Sequence, residues 1–244
     1  MFKKTILVLI VLIIAYLLTN SENQNKDVIK IGYIGPLTGD VSSLGVPTRK
    51  AVELAVREIN DQGGINGRKI ELISEDGACN SKKALDAGNK LMNIDRVIAI
   101  IGGFCSGETS SFGPNAMENK TIVISPASSS PLLSKLGKYF FRVYPSDEYQ
   151  GKFAAEYIYQ TMGIRKVAIL YSNTDWGVHI TDVFKREYES LGGSVVFNEG
   201  TSQDTRDFKT VISKIKESQA ELLFAPQYTE GSLVLVEQLS SLGL

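Results

Sequence analysis

Hydroxyl groups set beside exposed backbone amides can hold both ends of a zwitterion, and this chain concentrates them in a few short loops. The run Ser125–Ser130, bracketed by Pro126 and Pro131, is a turn dense in hydroxyls and free N–H groups. Ser106 stands just before a predicted helix start, where orphan N–H groups and the helix dipole favour an anion. Trp176, the only tryptophan, sits beside Gly177 at another helix entrance and suits an aromatic lid over an apolar group; Tyr228 has a similar setting. Plainer roles compete with each: helix capping for Ser106, an ordinary polar loop for Ser128 to Ser130, and core anchoring for the two aromatics.

Catalytic chemistry finds little support. The glycine-rich stretch Gly102–Gly107 reads Gly-Gly-Phe-Cys-Ser-Gly, which lacks the G-x-G-x-x-G spacing of a dinucleotide loop. Asp175, Glu108 and His179 suggest no arrangement of nucleophile, base and orienting group, and His179 reads as a surface or packing residue. Neither a metal nor a cofactor is expected. Two cysteines, Cys79 and Cys105, complete the inventory. An even count in an exported chain favours a disulfide over a metal site, worth about 3 kcal/mol in the chain-entropy model. Two free buried thiols are the alternative.

The elements that carry these loops occur twice. A strand at Lys30–Gly35, a loop at 36–46 and a helix with Val52, Ala55, Val56 and Ile59 on one face end at Gly63 and Gly64. Pro47 suits the first turn of that helix, and a strand follows at Lys69–Ser74. The order returns at Lys166–Tyr171, with a helix bearing Ile180, Phe184, Tyr188 and Leu191, paired glycines at 192 and 193, and a strand at 194–198. Further strands are expected at 97–101, 121–124 and 221–225, with an extended crossing at 139–145. Strands alternating with helices imply parallel sheets with right-handed crossovers. The fold expected is α/β, with two Rossmann-like parallel-sheet lobes over residues 27–144 and 145–244. In such sheets ligands sit beyond the carboxyl ends of the strands, where the hydroxyl-rich loops fall.

Residues 1–26 pair a basic start with an uncharged apolar run. They read as a signal peptide or an uncleaved N-terminal anchor; fourteen helical residues span only about 21 Å of a ~30 Å hydrocarbon layer. Net charge is −1 with both signs interspersed, so no nucleic-acid partner is expected.

The stretch Ala55–Gly67, Ala-Val-Arg-Glu-Ile-Asn-Asp-Gln-Gly-Gly-Ile-Asn-Gly, resembles the first helix and turn of the leucine/isoleucine/valine-binding proteins. The likeness extends through Asp76–Cys79, Gly103–Ser106, Ser125–Ser129 and Tyr171–Gly177. It implies the type I periplasmic binding protein fold, a Cys79–Cys105 disulfide, and no enzymatic activity. It also implies capture of an amino acid, branched-chain or otherwise apolar, by lobe closure outside the cytoplasmic membrane. Delivery would be to an ABC permease, by a monomer; the alternative is the ligand-sensing ectodomain of a receptor. Carried over by motif, Ser106 would receive the ligand carboxylate. Ala127, Ser128 and Ser129 would bind its carboxylate and ammonium, and Leu44, Trp176 and Tyr228 would close over the side chain. Leu44 departs from the aromatic residue common at its position. Members of that family continue further, so the resemblance also implies an incomplete second lobe. An acidic partner for the ammonium would then lie past Leu244, and sheet edges and apolar faces would stand exposed.

Overall fold

The computed structural model describes residues 28–244; the leader expected over residues 1–26 lies outside them. Two parallel sheets form. The first contains β1 (Ile29–Gly35), β2 (Ile70–Asp76), β3 (Ala99–Ile101), β4 (Ile122–Ser125) and β5 (Phe140–Arg142), in the order β2-β1-β3-β4-β5. The second contains β6 (Lys166–Ser172), β7 (Ser194–Thr201) and β8 (Leu222–Phe224), in the order β7-β6-β8. All pairings are parallel. The helices are α1 (Ser42–Asp61), α2 (Ser81–Asn89), α3 (Ser106–Glu118), α4 (Asp147–Glu156), α5 (Asp175–Ser190), α6 (Lys209–Glu217) and α7 (Thr229–Ser241). In each half the first strand lies between the second and the third, so the repeat read from the sequence is a repeat of topology. Among the described residues no helix is long and apolar enough to cross a membrane.

The central strand β6 explains the second core. Val167 and Ile169 point to one face and pack with Phe184, Tyr188, Ala155 and Ile158. Ala168 and Leu170 point to the other and pack with Phe208, Val211, Ile212 and Leu235. A two-residue side-chain period with helices on both faces requires such a continuous apolar strand. In the first sheet Ile34, Ile100 and Val123 meet Leu91, from the π-helical turn Lys90–Asp95 that continues α2, and Phe112 from α3.

Several local expectations change. Helix α1 begins at Ser42, so Pro47 lies inside it. That helix lies over β1 and the edge strand β2, which leaves Ala55 and Ile59 exposed while Val52 and Val56 are half-buried. The stretch 139–145 contributes β5, an edge strand of the first sheet, before the chain moves on. Helices α2 and α4 escape the sequence reading although both carry N-caps, Asn80 accepting from Lys83 N at 3.1 Å and Ser146 accepting from Glu148 N at 3.3 Å. Phe141, Val143, Tyr149 and Phe153 are exposed.

Two glycines seat the first turn of a helix against the end of a strand. A β-carbon at Gly177 would lie 2.0 Å from the Ser172 carbonyl oxygen, and one at Gly45 would lie 2.0 Å from that of Pro36. The same close approach occurs at matching points of the repeat. Gly177→Ala is therefore expected to lower the unfolding free energy by about 1–3 kcal/mol, read from urea denaturation; an unchanged midpoint would show that the junction is loose.

Candidate functional site

The strand-end loops of both sheets enclose one cavity of about 280 Å³, the scale of a small metabolite. Leu44 of α1, Phe104, Cys105 and Ser106 around the start of α3, and Ala127 and Ser129 after β4 line it from the first sheet. Trp176 of α5, with Gln227, Tyr228 and Thr229 at the start of α7, lines it from the second; Tyr144 and Gln150 close the side between them. No lining residue is charged. Three helices (α3, α5 and α7) begin at this cavity, which brings the positive ends of three dipoles to it.

Ser106 and Ser129 come together, as do Trp176 and Tyr228, whose ring centroids are 4.9 Å apart. Ser106 Oγ accepts from Ser129 N at 3.2 Å and from Ser130 N at 3.1 Å. The capping reading of Ser106 gives way, because Cys105 occupies the N-cap and Ser106 is the first helical residue. Ser128 turns away from the cavity: its hydroxyl contacts Thr109 Oγ1 at 2.7 Å and donates to Gly103 O at 2.9 Å. Alternate residues of an extended loop cannot all face one side, and Ser128 ties the loop to the sheet. His179 packs behind the same loop, its Nδ1 3.0 Å from Ser130 Oγ. Phe104, Tyr144, Gln150, Gln227 and Thr229 were not anticipated. Phe104, Gln227 and Thr229 adjoin anticipated residues, so the loop ends could have indicated them; Gln150 lies on the unanticipated helix α4.

Cys79 and Cys105 form a disulfide, and Cys105 lines the cavity. Glu108, fully buried, binds the two sides of that bridge together. Its carboxylate accepts from Cys79 N at 2.9 Å, Phe104 N at 2.9 Å and Cys105 N at 3.0 Å. The Cys-Ser-Gly-Glu spacing is that of a capping box, a legible signal that escaped the sequence reading. Asp76 pins the neighbouring loop, accepting from Leu37 N at 2.8 Å and Ala78 N at 2.9 Å. Burial pushes the Asp76 carboxyl upward, but bonds from Thr38, Leu37 and Ala78 outweigh it and hold it below the usual range.

Contacts also span the two sheets' loops. Ser110 Oγ donates to Asp175 Oδ2 at 2.8 Å, Arg206 Nη2 meets Asp40 Oδ1 at 2.7 Å, and the Tyr228 hydroxyl lies 3.5 Å from Cys79 Sγ. Burial raises the affinity of Tyr228 for its proton, so it remains a neutral hydroxyl in the wall.

Two layered halves thus face an uncharged hollow at their strand ends. The family model described as periplasmic binding protein matches residues 28–244, and the chain belongs to that family. A relative from Pseudomonas aeruginosa named "Amino acid binding protein" is 33% identical over the whole of this chain, which spans 64% of that relative. The Streptococcus pneumoniae branched-chain amino acid substrate-binding protein LivJ, solved with isoleucine, is 28% identical with a TM-score of 0.80. The likeness covers 89% of this chain and 62% of that one. A solute-binding protein from R. palustris, solved with 4-hydroxybenzoate, shares the fold at 23% identity and a TM-score of 0.78, over 89% of this chain and 59% of that one. The chain thus spans about three fifths of the length of these relatives.

Burial pushes the Glu108 carboxyl up to about 7 from 4.5, against the downward pull of the N–H groups of Cys105, Cys79 and Phe104. Between those values the folded state keeps a proton that the unfolded chain has released. The stability tied to Glu108 is therefore full below pH 4.5 and is lost as pH rises through about 7. Unfolding of the parent and of Glu108→Gln, compared across this window, should show their stability difference change with pH in that sense. A constant difference would mean that Glu108 does not titrate there.

Proposed function

We propose that this chain is an exported solute-binding protein that captures an apolar amino acid between its lobes and passes it to an ABC permease. The observation that carries the reading is the division of one uncharged cavity into two walls. Ser106, Ala127 and Ser129, with the first-turn amides of α3, make a polar wall; Leu44, Trp176 and Tyr228 make an apolar one. A carboxylate placed at the polar wall meets N–H and O–H donors, which serve an anion without a counter-charge. An aliphatic side chain would then lie against the aromatic pair. Such a division would bind and orient a solute, and the absence of any charged side chain from the cavity wall supports binding over catalysis. The isoleucine found in the Streptococcus pneumoniae protein supports an amino acid as ligand. Lobes meeting at residues 144 and 145 would close by a hinge that the bound solute stabilises.

A second reading, an aromatic carboxylate, draws on the same donors with a ring stacked on Trp176, and on the benzoate carried by the R. palustris neighbour. Calorimetric titration of the full-length protein with leucine, isoleucine, valine and 4-hydroxybenzoate separates the two, with Trp176 fluorescence as a second signal. Ser106→Ala is expected to weaken the bound solute about tenfold or more, since a hydrogen bond to a charged group is worth ~1.5–3 kcal/mol. Absence of heat with every amino acid would end the first reading.

A further inference from the structure

Beside the cavity, one hydrogen bond behind its wall, lies a buried acid that the binding reading has not used. Asp147 is fully buried, and its Oδ2 accepts the Ser129 hydroxyl proton at 2.7 Å. Its backbone N–H donates to Ser129 O at 2.9 Å, so side chain and main chain together fix Ser129. The other carboxylate oxygen, Oδ1, is buried without a partner. Arg142 supports the same loop, donating to Ser130 O at 2.9 Å and to Ser134 Oγ at 2.7 Å.

The two cleft serines are consequently polarised in opposite senses. Ser106 Oγ already accepts two N–H groups, so what it has left to offer is its proton. Ser129 Oγ has given its proton to Asp147, so what it has left is lone pairs. We propose that Asp147 is a positioning residue for specificity: by holding the Ser129 proton it turns that hydroxyl into an acceptor, and so selects solutes with an ammonium beside the carboxylate over simple carboxylates. The inference deepens the amino-acid reading above and rests on it. It identifies which feature of the chain separates the amino-acid ligand from the aromatic-acid one, because both would satisfy Ser106 equally, while Ser129 needs a donor beside the carboxylate, which the ammonium supplies and the aromatic ring does not. Burial raises the Asp147 carboxyl above its usual range, against the downward pull of the Ser129 hydroxyl, Arg142 and His179.

The test compares leucine with 4-methylpentanoate, the same molecule without its amino group, by calorimetry on the full-length protein. The parent is expected to prefer leucine by about a hundredfold or more, and Asp147→Asn to cut that ratio about tenfold through loss of leucine affinity while 4-methylpentanoate changes little. A merely structural Asp147 would weaken both ligands alike and leave the ratio unchanged, which overturns the proposal. Ser129→Ala reads the same hydroxyl independently of whether Asp147→Asn folds: its ratio must fall likewise, and an unchanged ratio is again fatal. Equal parental affinity for the two ligands overturns the inference but leaves carboxylate binding intact, whereas binding of neither removes both.

Discussion

Carboxylates meeting loop amides, from the buried Glu108 and the half-buried Asp76, are the constraint on which the cleft depends. A loop at a strand end leaves its N–H groups without sheet partners, and a buried N–H without an acceptor costs about as much as a lost hydrogen bond. Glu108 takes three such groups from two loops 25 or more residues apart in sequence, roughly the number that a carboxylate can serve well. Asp76 does the same for the loop after β1. With their amides satisfied from behind, the loops can turn hydroxyls and helix starts toward the hollow without placing a charge in it.

The disulfide and Glu108 act on the same pair of segments by different means. The covalent bridge limits how far those segments separate in the unfolded chain, while the carboxylate sets their orientation in the folded one. Neither alone would fix Cys105 and Ser106 at the cavity wall. The repeat adds economy: a β-α-β-α-β unit with its first strand central is used twice, and each copy seats its first helix turn on a strand end through a glycine.

Much of this was legible in the residues. The parallel α/β repeat followed from alternating strand and helix periods, because both faces of β6 had to be apolar to be covered. The hydroxyl-rich loops and the two aromatics were legible as a group because loops beyond strand ends share one rim. Helices α2 and α4 were lost because their apolar stripes are short, and each continues into a π-type segment that blurs the helical period. Ser128 could not be told from Ser129 by sequence, since their difference is one of direction within an extended turn. Asp147 behind the wall was invisible for another reason: it looks like an ordinary surface residue until the fold encloses it.

The opening turn of α5 joins three surfaces at once. Trp176 faces the hollow, Asp175 holds Ser110 across the divide, and His179 leans on Ser130. On the binding function proposed above, solute girth and the angle between the halves would be read by the same few residues. A bulkier guest pressing on the indole would tilt the helix that carries the fastening, so the clamp would register the size of what it holds as a change in its own posture.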